Sequence, residues 1–237
     1  MVAIFDTAKK TKNIGDEIIM DAINAMIEDL FVGEEKIRIA THETMSIAER
    51  TKLLMQKIKI VGGTNLLNGN ISKYQQWKLR RLDWLFAQDA ILLGCGWWQY
   101  EAPTKPRTIR HWRSILSKTA LHSVRDDYTR QRLQDIGIPN VLVTGCPTTW
   151  SLTKSHCAKI PKQKSDACVV TLTDYKKDPE RDTLLLESCL KNYEHVYFWP
   201  QGSGDLEYFN MITPSTFSVV SHSIAAFNEL LCSKEID

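Results

Sequence analysis

Short apolar runs alternate with helical repeats along most of the chain. Val2–Asp6 is apolar and partly β-branched, which predicts a buried strand. Within Ile18–Phe31 the apolar side chains recur every three or four residues, which predicts a helix that buries one face. A polar turn that includes Asn13–Glu17, with one glycine and two carboxylates, separates these elements. The first elements are therefore a strand, a polar turn and a helix.

The same alternation of strands and helices continues to about residue 147. The further predicted strands are Lys36–Ala40, Ile58–Val61, Ala90–Leu93, Ala120–Val124 and Val141–Thr144. The further predicted helices are Ser46–Lys57, Tyr74–Gln88, Thr108–Lys118 and Asp126–Ile136. Such alternation predicts an α/β domain with a mostly parallel sheet and right-handed crossovers.

A second α/β pattern follows a basic segment. Residues 154–166 contain Pro161 and lack periodicity, which predicts a linker. The strands predicted beyond it are Ala167–Leu172, Val196–Trp199 and Phe217–Val220, and the helices are Pro179–Tyr193, Asp205–Ile212 and Ser223–Leu231. The sequence thus predicts domains at residues 1–153 and 167–237. Because doubly wound domains usually have five or more strands, we expect the second domain to be incomplete.

Composition excludes several classes of protein. The net charge of +2 over 237 residues gives no general argument for nucleic-acid binding. No apolar run is long enough to cross a bilayer, and a strand followed by lysines is the wrong order for a signal peptide. The six cysteines are scattered without a CxxC pair, which favours reduced thiols in a cytoplasmic protein over a zinc site.

Polar and glycine-rich turns are predicted to meet at one edge of the first sheet. Each follows a predicted strand, and together they cover residues 12–17, 62–69, 94–98, 125–127 and 145–147. Open α/β sheets bind ligands at this edge, outside the carboxyl ends of the strands. Glycine lets the backbone approach a ligand closely, although tight turns need glycine in any case.

Several of these residues have two possible roles. Asp16 could be a catalytic carboxylate or simply favour the dipole of the first helical turn. Arg125 could hold a carboxylate or phosphate bidentately, or pair with the adjacent Asp126 or Asp127. The aromatic side chains of Trp97, Trp98 and Tyr100 could pack on a sugar face or anchor the core.

Other polar side chains are weaker candidates. The basic series Lys105, Arg107, Arg110 and Arg113 could steer an anion or form a solvated helix face. His122 lies inside a predicted strand, where a core role is favoured. The segment 199–202 and His222 follow strands of the second domain and could face a cleft between the domains.

Five short segments occur in an order that resembles the polysaccharide pyruvyl transferase family. They are NIGDE at 13–17, GGTNLLNG at 62–69, GCGWW at 94–98, VRDDYTRQRLQDIGI at 124–138 and VLVTGCP at 141–147. The segments WPQG at 199–202 and SHSIAAFNELLCSKEID at 221–237 fit the same pattern. The resemblance covers nearly all of the chain.

This resemblance implies two Rossmann-like domains in a GT-B-like arrangement, with the acceptor on the first and the donor on the second. It implies transfer of a pyruvyl group from phosphoenolpyruvate to two hydroxyls of a sugar or lipid-linked glycan, forming a ketal in cell-surface glycan biosynthesis. No cofactor or metal is expected, since arginines can neutralise the donor. We expect no nucleic acid partner, whereas peripheral membrane association or an oligomer is compatible with this function.

The chemistry of such a transfer, which needs a base for the hydroxyls and cations for the donor, suggests roles for residues. Asp16 is predicted to be the base for the sugar hydroxyls, and Arg125 to bind the donor carboxylate or phosphate. The predicted substrate-binding residues are Asn13, Gly15, Gly62, Gly63, Thr64, Asn65, Trp98 and Gln201. The family's Arg-Leu-His element of the donor site does not occur in this sequence, so an active transferase and an inactive fragment both stay open at this point.

Two other functions are compatible with the pattern. A GT-B glycosyltransferase shares the two-domain plan, and a non-catalytic relative would only bind a glycan. A pyruvyl transferase releases phosphate from phosphoenolpyruvate, whereas a glycosyltransferase releases a nucleotide from a nucleotide sugar, so the released product distinguishes these two. Fold alone decides none of these, because one scaffold supports many activities.

Overall fold

The computed structural model describes residues 1–98, 103–213, 217–233 and 236. The chain forms two compact units. The first contains residues 1–11 and 16–153, and the second contains residues 12–15 and 154–237. Tyr100, one of the aromatic candidates, lies outside the described residues.

The first unit is built on a six-stranded parallel sheet. Its strands are β1 (Val2–Asp6), β2 (Lys36–Ala40), β3 (Ile58–Leu67), β4 (Ala90–Trp97), β5 (His122–Val124) and β6 (Val141–Val143). They lie in the order β2-β1-β3-β4-β5-β6, and every neighbouring pair is parallel. The helices are α1 (Ile14–Leu30), α2 (Ile47–Leu54), α3 (Pro106–Ile115) and α4 (Asp127–Asp135).

Local signals explain where these elements begin. All five residues of β1 are buried, as their apolar run predicts for an inner strand. Ser46 and Glu49 form a reciprocal capping box at the start of α2. The side chain of Asp126 accepts the Thr129 N–H at 2.7 Å and caps α4. The core of the unit packs large rings together, with Phe5 edge-on to Trp77 at 4.8 Å.

The second unit contains a three-stranded parallel sheet. Its elements are α5 (Lys154–Cys157), β7 (Ala167–Val170), α6 (Pro179–Asn192), β8 (His195–Phe198), α7 (Asp205–Ile212), β9 (Ser218–Val219) and α8 (Ile224–Ser233). The strand order is β7-β8-β9. Phe198 and Phe209 stack in its core at 3.9 Å between ring centroids. The helix α5 lies within the segment that the sequence predicts to be a linker.

The predicted α/β class with parallel sheets is confirmed, whereas the Rossmann-like character of both domains and a GT-B arrangement stay predictions. Two strand ends were predicted too early. β3 continues through Gly62 and Gly63 to Leu67. A Cβ at Gly62 would overlap the Sδ of Met20 in α1. The glycine therefore lets the helix pack closely on a strand that continues. β4 likewise continues past Gly94 to Trp97.

The predicted helix over Tyr74–Gln88 is wrong. Only a 3₁₀ turn, Arg81–Leu85, forms there. The Lys78 N–H binds the Thr41 carbonyl at 2.8 Å, so this backbone bonds across the fold instead of along a helix. The buried carboxylate of Asp83 accepts the N–H of Arg80 and pairs with Arg50 at 2.6 Å, which fixes the turn. No helix among the described residues is long and apolar enough to span a bilayer.

Both the backbone conformation at position 94 and the side chain packed against it require glycine there. Its φ is +67°, and a Cβ there would overlap the ring of Pro147. We predict that Gly94→Ala lowers the free energy of unfolding by about 2–4 kcal/mol, combining left-handed strain with overpacking. Gly33→Ala is the matched control, because Gly33 has a φ of +73° with nothing within 4 Å. Urea unfolding of both variants tests this, and equal losses would contradict the role of Pro147.

His111 makes the stability of the fold depend on pH. It is buried without a hydrogen-bond partner between the rings of Trp84 and Trp112. Burial, with a smaller effect of the Arg107 charge, lowers the pKa of His111 to about 3. The unfolded chain binds this proton below about pH 6.5, so stability falls as pH drops from 6.5 toward 3.

We predict that lowering the pH from 7 to 5 costs about 2 kcal/mol through His111. His111→Leu should remove that part of the pH dependence. Burial also lowers the pKa of His122, which retains its own contribution in the variant. Urea unfolding at both pH values measures the difference. An identical pH dependence in the variant and the parent would show that His111 does not cause it.

Candidate active site

The strand order places a ligand-binding edge beside β1 and β3. The chain leaves β1 toward β2 on one side, and β3 is followed by β4 on the other side. Ligands of open parallel sheets bind at such a reversal, outside the carboxyl ends of the strands. The residues that follow these strands are therefore the first to consider.

Asp16 lies in the first turn of α1 and is buried. Its Oδ2 accepts the hydroxyl of Thr11 at 2.8 Å and lies 3.5 Å from Nε2 of His42. Asn13 precedes the helix, and its Oδ1 accepts the N–H of Gly15 at 2.9 Å, as an N-cap does. Asn13 therefore caps the helix, and the carboxylate of Asp16 contacts Thr11 and His42 instead.

His42 is the site residue that the sequence did not reveal. It follows β2, and its Nδ1 lies 3.2 Å from the carbonyl oxygen of Gln76. A carbonyl only accepts, so this contact places a proton on Nδ1. Nε2 is then the nitrogen that can accept a proton, and it lies 3.5 Å from Oδ2 of Asp16.

The position of His42 in the sequence was the one signal that could have indicated it as a candidate site residue. It comes two residues after a predicted strand, at the edge where the other candidate turns were expected to meet. Its side chain is 22% exposed, against 9% for that of Asp16, so His42 is the more accessible member of the pair.

A second cluster forms where β3, β4 and β5 end. A Cβ at Gly96 would overlap both Oδ1 of Asn65 and Cδ of Arg125. The missing side chain of Gly96 therefore leaves the space that Asn65 and Arg125 occupy. The N–H of Arg125 binds the Cys95 carbonyl at 3.0 Å, which fixes its backbone to β4. The structure thus brings these two predicted residues together.

Among the residues that the structure describes, the one ion-pair partner of the Arg125 guanidinium is a weak one. Its Nε lies 3.7 Å from Oδ2 of Asp126, whose other carboxylate oxygen caps α4. The side chain of Arg125 is about one-third exposed. A long, exposed ion pair contributes little, so the planar donors of Arg125 are available to an anion.

Thr64 has an unusual backbone. Its φ is +88°, and the pairing of β3 with β4 shifts register between Thr64 and Leu67. Positive φ is a genuine outlier for a β-branched residue and costs of order 1–3 kcal/mol. Such strain is concentrated at functional sites. The bulge therefore supports a role for Thr64 and for the neighbouring Asn65.

Packing accounts for three of the predicted glycines. Gly62 lies against Met20, and a Cβ at Gly63 would come within 2.9 Å of Ile19. Gly15 lies against the side chain of Asn13. These contacts explain the absence of side chains without a ligand, and a role of Gly15, Gly62 and Gly63 in substrate binding stays a prediction.

Trp98 and Gln201 are the remaining predicted substrate-binding residues. Trp98 stacks on Tyr74 with ring centroids 4.0 Å apart. Gln201 belongs to the second unit, where its carbonyl accepts the N–H of Ile14 at 3.0 Å and lies 2.8 Å from Nε2 of His222. Binding of substrate by Trp98 and Gln201 stays a prediction.

Two kinds of chemistry find no support at this edge. Burial raises the pKa of the Cys95 thiol to about 12, so this cysteine remains a protonated donor to the Val61 carbonyl and not a nucleophile. Within residues 1–98, 103–213, 217–233 and 236, no three His, Cys, Asp or Glu side chains are grouped to hold a metal.

The fold and site define an open parallel α/β protein with an aspartate–histidine contact and an arginine at the carboxyl edge of its sheet. A family model described as polysaccharide pyruvyl transferase matches residues 13–215. The chain belongs to this family, which confirms the resemblance seen in the sequence and indicates a transferase. Searches of curated proteins and of solved structures gave no match.

Proposed function

We propose that this protein transfers the pyruvyl group of phosphoenolpyruvate to two hydroxyls of a sugar, forming a cyclic ketal. The observation that carries the proposal is the Asp16–His42 pair at the ligand-binding edge of a family member. The acceptor is a sugar or lipid-linked glycan of cell-surface biosynthesis, and the reaction takes place in the cytoplasm.

The reaction needs proton transfer and charge neutralisation. A proton adds to the methylene carbon of phosphoenolpyruvate and makes it a methyl group, while the central carbon becomes an oxocarbenium-like centre. One sugar hydroxyl attacks this centre and loses its proton. Phosphate leaves with its bonding electron pair, and the second hydroxyl closes the ketal. The two hydroxyl protons balance the new methyl hydrogen and the proton gained by phosphate.

The Asp16–His42 pair supplies the base for the sugar hydroxyls. A hydroxyl proton can pass to the accessible His42, and the carboxylate of Asp16 at 3.5 Å stabilises the resulting imidazolium. Thr11 donates to the same carboxylate at 2.8 Å and helps to fix its position. In this proposal Asp16 shares the role of base with His42.

Arg125 binds the donor. Phosphoenolpyruvate carries a carboxylate and a phosphate, and a guanidinium matches either group with two parallel N–H donors. Asn65 lies beside Arg125 across Gly96 and adds an amide donor and a carbonyl acceptor. Neutralisation by fixed donors is the usual way in which enzymes stabilise developing phosphate charge.

The test is to titrate the full chain with phosphoenolpyruvate by calorimetry and to assay phosphate release with methyl hexopyranosides as acceptors. We expect saturable binding and acceptor-dependent phosphate release. UDP-glucose serves as the comparison ligand. Binding of UDP-glucose with no binding of phosphoenolpyruvate would favour a glycosyltransferase, and binding of the glycosides alone would favour a non-catalytic protein. Either result would overturn the proposal.

A further inference from the structure

A strongly basic groove lies on the first unit, and its residues have no part in the proposed reaction. Its volume is about 550 Å³. The cationic side chains that line it are Arg81, Arg107, Arg110, Arg113 and Lys118. No carboxylate is among its described lining residues. Its remaining lining residues are Trp84 and Ser114.

An adjoining groove extends the same charge. It has a volume of about 500 Å³ and shares Arg81, Trp84 and Arg107 with the first. It adds Lys73, Lys78 and Arg80, again with no carboxylate among the described residues that line it. The eight cations of the two grooves, which we call the basic face, are all exposed.

The fold creates the basic face from separate parts of the chain. The sequence left the arginines of α3 as either an anion-steering series or a solvated helix face. The structure adds Arg81 from the 3₁₀ turn and Lys118 from beyond α3. The ion pairs found among the described residues include none of the eight cations. The net charge of the whole chain is only +2, so positive charge is concentrated here.

Exposed apolar side chains accompany this charge. Leu82 and Leu85 follow Arg81 in the 3₁₀ turn and are 64% and 62% exposed. The one carboxylate of the turn, Asp83, is buried and paired with Arg50, so it does not oppose the basic face. Neither leucine lines the grooves, but each adjoins a lining residue along the turn, Leu82 next to Arg81 and Leu85 next to Trp84. Exposed leucines that adjoin cations are typical of a membrane interface, where the cations meet lipid phosphates and the leucines enter the acyl boundary.

We propose that the basic face docks this protein on an anionic lipid surface. Charge complementarity supplies the attraction, and Leu82 and Leu85 supply apolar contact that a soluble anion would not need. This docking is independent of the proposed reaction, because none of its residues belongs to the Asp16–His42 pair or to the Arg125 cluster.

Vesicle flotation tests the docking with the full chain. The vesicles are pure phosphatidylcholine or phosphatidylcholine mixed with phosphatidylglycerol. We expect binding only to the anionic vesicles, weakened by salt. The variant Arg81→Gln, Arg107→Gln, Arg110→Gln should bind about 100-fold more weakly, at about 1 kcal/mol for each charge near the surface. Replacing Leu82 and Leu85 with serine should weaken vesicle binding but leave heparin binding unchanged.

The matched control removes three positive charges from outside the basic face. Lys154, Lys159 and Lys162 are exposed residues of the basic segment in the second unit, and their replacement with glutamine should leave vesicle binding within about twofold. An equal loss in this control would overturn the proposal. So would binding of heparin or duplex DNA without vesicle binding, and so would no binding to any of them. Circular dichroism of each variant confirms that it is folded.

Discussion

Replacing His42 with asparagine is expected to lower phosphate release from phosphoenolpyruvate by about 10²- to 10⁴-fold, the usual contribution of a general acid or base. The imidazole is the accessible half of the Asp16–His42 pair and touches the Asp16 carboxylate at 3.5 Å. Asp16→Asn should lose activity in the same range, because it removes the charge that stabilises the imidazolium. The double variant should lose little more than either single one, since the two residues act as a unit.

Asp21→Asn is the control for this experiment. Asp21 lies in the same helix α1 but is exposed, so the substitution makes the same chemical change outside the site. We expect it to keep the parent rate within about twofold, as surface substitutions usually have little effect. Steady-state phosphate assays over a range of pH compare all four variants. Losses that multiply in the double variant would show that Asp16 and His42 act independently.

Replacing Arg125 with alanine is expected to weaken phosphoenolpyruvate binding by about 10- to 100-fold, which corresponds to the loss of a charge-assisted hydrogen bond. Its guanidinium is partly exposed, and its ion-pair contact with Asp126 is long, at 3.7 Å. An incoming anion therefore has only a weak interaction to displace. Arg125→Lys should recover part of the affinity through its charge but not the paired donors.

Arg130→Ala is the matched control for Arg125. Arg130 lies in α4 and pairs at 2.6 Å with Asp127 on the surface. Removing it should leave phosphoenolpyruvate binding unchanged in calorimetric titrations, because an exposed pair contributes little. If both variants bound the donor as the parent does, Arg125 would have no part in donor binding.

The sequence located much of the fold because the strands are short, apolar and regularly spaced. Helix α7 matches its prediction, and β1 and β2 keep their predicted bounds. The fate of Tyr74–Gln88 could not be predicted. Its apolar spacing suits a helix, but Asp83 and the backbone of Lys78 find partners in distant parts of the chain.

The candidate site was also only partly predictable from the sequence, because it too depends on contacts between distant parts of the chain. Asp16 and Arg125 could be selected because each follows a predicted strand directly. His42 could not be paired with Asp16, because their contact depends on β2 lying beside β1, which is a property of strand order and not of local pattern. The role of Gly62 in packing against Met20 was also hidden, since glycine after a strand signals a turn as readily as a close contact.

The central claim is that this chain forms a pyruvyl ketal through the Asp16–His42 pair. Proton NMR of the full chain with phosphoenolpyruvate and a methyl hexopyranoside tests it most directly. The account predicts a new ketal methyl signal that appears in step with phosphate in the parent and in Asp21→Asn, and that is lost in Asp16→Asn and His42→Asn. Phosphate accompanied only by free pyruvate, or a ketal formed equally by all four proteins, would contradict it.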